Sequence, residues 1–131
     1  MMPKQDKLAL EVLDEEFSVC KVEDYSQVDV ARPFVFTGST DEERSLVCPT
    51  VLVPGNTVER SDGWRVFRIE GILDFSLTGI LSGISSVLAE NGIGIFAVST
   101  FNTDYILTRA KDLARAVLVL QQAGYTIKQP E

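Results

Sequence analysis

The stretch LTGILSGISSVLAENGIGIFAVSTFNTDYILTR, residues 77–109, decides the fold of this 131-residue chain. Leu77, Ile80, Leu81, Ile84, Val87 and Leu88 recur at i, i+3, i+4, i+7, i+10 and i+11, the spacing of a helix with one apolar face, and Asn91-Gly92 ends it. GIFAVST (94–100) and DYILTR (104–109) then read as two strands joined by the tip Phe101-Asn102-Thr103. Upstream, WRVFRIEG (64–71) alternates as a strand, with Trp64, Val66 and Arg68 on one face and Arg65, Phe67 and Ile69 on the other. Downstream, Leu113, Ala116, Val117, Leu120 and Ala123 predict a second helix stopped by Gly124, and YTIK (125–128) a last strand. With right-handed crossovers, the order β-α-β-β-α-β gives an α+β, ferredoxin-like arrangement: an antiparallel sheet with both helices on one face.

The first half is rich in short strands. KLALEVL (7–13) and FSVCKV (17–22), either side of the acidic turn Asp14-Glu15-Glu16, read as two short paired strands. EDYSQVDVAR (23–32) is a turn or one short helix before the strand PFVFTGS (33–39). RSLVCP (44–49) follows the charged turn Asp41-Glu42-Glu43, and TVLVP (50–54) closes the half. GNTVERSDG (55–63), with few apolar residues, is the linker candidate. The expected organisation is a reduced half over residues 1–60 and a complete one over residues 61–131. A module of about 65 residues with one bare sheet face is marginal alone, so it should pack against the first half, another subunit, or both.

Composition excludes several functions. The chain has no histidine, which removes His-based triads, proton shuttles and His-containing zinc sites. The net charge of −7 opposes phosphate backbones and anionic lipid, and there is no basic patch to offset it. Nucleic-acid and membrane partners are therefore not expected, and no apolar run approaches the length of a membrane span. Residues 1–62 carry 13 acidic and 6 basic side chains against 6 of each in residues 63–131, so the first half supplies the whole imbalance. Cys20 and Cys48 lack a CxxC spacing or a ligand cluster and read as buried apolar residues rather than a metal site or disulfide. Neither acidic cluster has calcium-loop spacing, and no glycine-rich phosphate loop follows a strand, so no metal and no cofactor is expected.

EGILDFSLTGILSGISSVLAENGIGIFAVSTFNTDYILTRAKDL (70–113) resembles an ACT domain of the small stand-alone bacterial group related to the regulatory tails of aspartate kinases and to the CASTOR-type cytosolic arginine sensors. The segments similar to DFSLTGIL and GIGIFAVSTFNTDYILTR are the most distinctive, and the first half, including SLVCP (45–49), resembles the same group's degenerate ACT-like part. The resemblance implies tandem ACT-like halves that bind a free amino acid between ACT units and perform no chemistry. It places the ligand at Gly71 to Gly79, including Asp74, Ser76 and Thr78; at Gly94 and Ile95; and at Thr100, Phe101, Asn102, Thr103 and Asp104. The sensors use more ACT units, so a homodimer would supply the missing neighbours.

The residues themselves permit that chemistry and also plainer readings. A helix N-terminus offers unpaired N–H groups to a carboxylate, with Ser76 and Thr78 assisting; alternatively Asp74 or Ser76 simply caps the helix. Asp104 could accept an ammonium, or serve the turn with Asn102. Phe101 at a tip is a contact residue or folds back on the core. Gly79 and Gly83 each cost a helix about 0.5–1 kcal/mol against alanine, so something should approach closely: helix-on-sheet packing at Gly83, a ligand or second backbone at Gly79.

No nucleophile has a base converging on it, and the chain is expected to be a cytoplasmic, non-catalytic, homodimeric amino-acid-binding regulator. A protein-interaction module with a vestigial pocket and a small cofactor-independent enzyme are the alternatives.

Overall fold

Leu10, Phe67, Ile69, Ile84, Leu88, Ile106 and Leu120, at most 1% exposed, belong to one core in which strands and helices meet. Each fully buried side chain of this size contributes about 1.5–3 kcal/mol. The computed structural model describes residues 8–71 and 79–130. Its strands are β1 (Ala9–Val12), β2 (Phe17–Val22), β3 (Phe36–Ser39), β4 (Arg44–Pro49), β5 (Thr57–Ile69), β6 (Ile95–Ser99), β7 (Asp104–Arg109) and β8 (Thr126–Lys128). The helices are α1 (Ile80–Glu90) and α2 (Leu113–Gln122). Contacts divide the chain into two compact units: an N-terminal unit, Glu15–Trp64, and a C-terminal unit made of the chain up to residue 14 and from Arg65 onward.

In the C-terminal unit the strands lie in the order β6-β7-β5-β1-β8. The βαββαβ order read from the sequence is present, and the two helices share one core against one sheet face. One strand is added: β1 runs between β5 and β8, antiparallel to the first (Leu10↔Ile69) and parallel to the second (Leu10↔Ile127). The expected pairing of residues 7–13 with 17–22 is therefore corrected. β1 pairs with the end of β5, and β2 with its beginning and with β4. Alternation reports which face a strand buries but not its partner, and Leu10 and Val12 find their apolar surroundings beneath the helices. Asp14-Glu15-Glu16 also lacks the left-handed residues that close a tight hairpin.

The linker expected over residues 55–63 is likewise corrected, since Thr57 opens the 13-residue strand β5. Its polar composition reflects exposed side chains: Val58, Glu59 and Arg60 are exposed, while Glu59 and Arg60 pair with Lys21 and Cys20 of β2 and the register shifts at Val58. Lys21, opposite Glu59, forms a 3.3 Å ion pair with it.

Helix α1 ends as expected. The N–H of Gly92, at φ 72°, donates to Ala89 and that of Ile93 to Leu88, while Arg115 of α2 donates to the Asn91 carbonyl at 2.8 Å. The N-cap of α1 is Gly79, at φ 82°, with no side-chain capping bond among the described residues; the cap candidates Asp74 and Ser76 lie outside them. Leu77 lies outside the described residues. Among the described residues nothing stands within 4 Å of where a Gly79 Cβ would be, and its positive φ by itself favours glycine. At Gly83 the close-packing expectation holds, because a Cβ there would meet the Tyr125 hydroxyl at 3.1 Å.

The N-terminal unit has the strand order β3-β4-β2-β5. Taken in chain order this is second-third-first-fourth, the same sequence of neighbours as in the C-terminal unit once β1 is set aside. A loop over residues 23–35 joins β2 to β3, and a 3-10 turn, Thr50–Leu52, follows β4. The loop is tied down by Tyr25, whose hydroxyl donates to the Ser45 carbonyl at 2.8 Å. Cys20 and Cys48 are free and buried in this unit's core with Val22 and Leu46, as apolar residues would be.

Candidate functional site

The end of β5 and the β6–β7 hairpin create a cleft of about 380 Å³ in the C-terminal unit. Its lining comes from Glu11 on β1, from Arg68, Ile69, Glu70 and Gly71 on and after β5, and from Asn102, Thr103 and Tyr105 of the hairpin. Gly71, at φ 90°, takes a left-handed conformation at the cleft's edge. The hairpin is anchored by its threonines. Thr103 is 5% exposed and its hydroxyl donates to the Ile69 carbonyl at 2.8 Å. Thr100 donates its N–H and its hydroxyl to the Thr103 carbonyl at 2.9 and 3.0 Å.

The cleft is electrically mixed. Leu10, Val12, Phe67 and Ile69 point to the helices, so the residues between them, Glu11 and Arg68, point to the opposite face. They are cross-strand partners, and the Arg68 guanidinium donates to the Glu11 carboxylate at 2.8 Å. That bond raises the Arg68 pKa above its ordinary value; partial burial opposes it and a hydrogen bond with Tyr105 adds to it. Glu70 pairs with Lys128 at 2.9 Å and raises that lysine's pKa. Two anions and two cations on and beside the cleft are thus joined in two ion pairs.

Of the residues singled out from sequence, Gly71, Asn102 and Thr103 meet in this cleft. Thr100 is exposed behind the tip, and Phe101 stands 78% exposed at its end. Asp104, opposite Ser99, is half-buried; alternation puts it on the face of Ile106, whereas Thr103 and Tyr105 face the cleft. Gly94 is exposed and Ile95 packs on the helix-side core. Gly79 stands at the start of α1. Asp74, Ser76 and Thr78 lie outside the described residues. The sequence reading did not single out Glu11, Arg68, Glu70 or Tyr105. The available signal was a charge inside each of two otherwise buried alternating runs, LALEVL and RVFRIE.

Among the described residues no group of three or more acidic or cysteine side chains could hold a metal, and no helix is long and apolar enough to cross a membrane.

Residues 59–122, which carry β5 to α2, match the ACT domain family. The chain carries an ACT domain over these residues. A crystal structure of an Agobacterium tumefaciens protein superimposes on this ACT-domain chain with a TM-score of 0.84 and 31% identity, covering 95% of each. A Vibrio cholerae protein described as a possible transport protein gives 0.74 at 17% identity, over 92% of this chain and 89% of its own. The regulatory subunit of Thermus thermophilus aspartate kinase, in its ligand-free form, gives 0.58 at 10% identity, over 86% of this chain and 96% of its own. No curated protein matches the chain significantly in sequence. The ACT domain supports a regulatory, small-ligand-binding role in general.

Proposed function

We propose that this ACT-domain chain is a non-catalytic cytoplasmic regulator that binds a free amino acid, as a homodimer in which the ligand lies between ACT units. The observation that carries this reading is the convergence of Gly71, Asn102 and Thr103 with Arg68 and two carboxylates in one cleft. Arg68 would meet the ligand carboxylate, Glu11 or Glu70 its ammonium, and the hairpin tip with Phe101 its side chain. Each charged end of an amino acid needs such a partner once water is removed. Asp74, Ser76, Thr78 and Gly79 would complete the carboxylate side, and Gly94, Ile95, Thr100 and Asp104 the second flank. The N-terminal half is read as a degenerate ACT-like unit, supported by its strand order.

A thermal-shift screen against the proteinogenic amino acids tests this. Ligand at a hundredfold above its Kd stabilises by about 2.7 kcal/mol, a readily measured shift. At least one amino acid should give a saturable rise that Arg68→Met removes. A flat response to all of them at millimolar concentration overturns the reading.

A further inference from the structure

The loop over residues 23–35 in the N-terminal unit leaves a second cavity beneath it, unrelated to the cleft at the hairpin. Its volume is about 210 Å³. The floor is Leu46 and Cys48, each 1% exposed, and Val28, Val35 and Leu52 form the walls. Burial pushes the Cys48 thiol up to about 11, so the floor is uncharged at neutral pH. The mouth is polar, with Gln27, Asp29 and Arg32.

These two acid and base groups are not equivalent. The Asp29 carboxylate accepts the Ala31 N–H at 3.1 Å and the Asp29 carbonyl accepts the Arg32 N–H at 3.2 Å, so Asp29 is used in its own turn. Arg32 extends from that turn, and among the described residues no carboxylate stands within ion-pair distance of its guanidinium. A cation at the rim of an apolar cup suits an anion with an apolar tail.

Two contacts hold the loop around the cup. Phe34 takes φ 64°, a left-handed conformation that a bulky residue adopts only when its surroundings impose it. Its ring packs edge-on against Phe17 with centroids 6.4 Å apart, and the next residue, Val35, becomes a cavity wall. Tyr25 holds the other end of the loop to β4.

We infer that this cavity binds a short-chain monocarboxylate, its carboxylate on Arg32 and Gln27 at the mouth and its tail against Val28, Val35, Leu46 and Leu52. A space of this size takes a tail of about four to six carbons, given that a dry cavity of about 150 Å³ accepts benzene.

Methyl-resolved NMR of the full chain, titrated with isovalerate or hexanoate, tests the proposal. The valine and leucine methyls of the cavity should shift saturably, the corresponding amide should bind at least tenfold more weakly, and Arg32→Gln should weaken carboxylate binding at least tenfold with Arg32→Lys restoring part of it. Arg32 is exposed, so these variants keep the fold. No shift with either acid, equal binding of acid and amide, binding indifferent to Arg32→Gln, or preference for leucine over isovalerate would each overturn it. The cleft residues are not involved, so failure here leaves the amino-acid reading untouched, and the converse also holds.

Discussion

The Thr103 hydroxyl donates to the carbonyl of Ile69, 34 residues earlier, at 2.8 Å, and so fastens the β6–β7 hairpin to the end of β5 beside the cleft. Both groups are withdrawn from water, so each would be unsatisfied without the other.

Thr103→Val removes the hydroxyl while keeping the shape. It should lower unfolding stability by about 1–3 kcal/mol, and Thr103→Ser by much less, as measured by urea denaturation. If valine and serine behave alike, the hydrogen bond is not what holds the hairpin.

Gly79→Ala tests whether conformation alone requires glycine at the start of α1. With nothing among the described residues near the added Cβ, the cost should be that of a left-handed alanine, about 1–2 kcal/mol. Gly79→Asn should recover part of it, since asparagine visits this region more readily. A neutral Gly79→Ala in a thermal melt refutes the assignment.

Gly83 calls for a double-mutant cycle. Alanine improves helix propensity by about 1 kcal/mol, but its Cβ would stand 3.1 Å from the Tyr125 hydroxyl. The gain from Gly83→Ala should therefore be larger in a Tyr125→Phe background than in the native chain, by about 0.5 kcal/mol or more. Additive effects would show that the hydroxyl moves aside without cost.

Cys48 gives a pH dependence. Its thiol ionises near 9.0 when unfolded and at about 11 in the fold, chiefly because burial disfavours the thiolate. The folded pKa is the higher one, so the unfolded chain loses its proton first. Stability conferred by the protonated thiol is complete below pH 9 and declines as pH rises from there to about 11. The fall in unfolding free energy over this interval should be shallower in Cys48→Ala, and parallel curves for the two proteins would contradict the shift.

Much of the C-terminal unit was legible from local pattern. The apolar stripe of α1, the stop at Asn91-Gly92 and the strand DYILTR all appear where periodicity put them, because each depends on neighbours within a turn or two of chain. The candidate cleft was legible only in part. Gly71, Asn102 and Thr103 were drawn from the family resemblance, whereas Arg68 and Glu11 came together through strand register, which no local rule supplies.

The sequence by itself determined which residues alternate, which recur at helical spacing, and that no histidine chemistry operates here. Tertiary structure alone decided that β1 enters the sheet between β5 and β8, that the polar segment from Thr57 continues as strand, and that Glu11 meets Arg68. The reason is physical: a strand's side-chain period records the face it buries, while its partners are chosen by hydrogen bonds and packing with residues dozens of positions away.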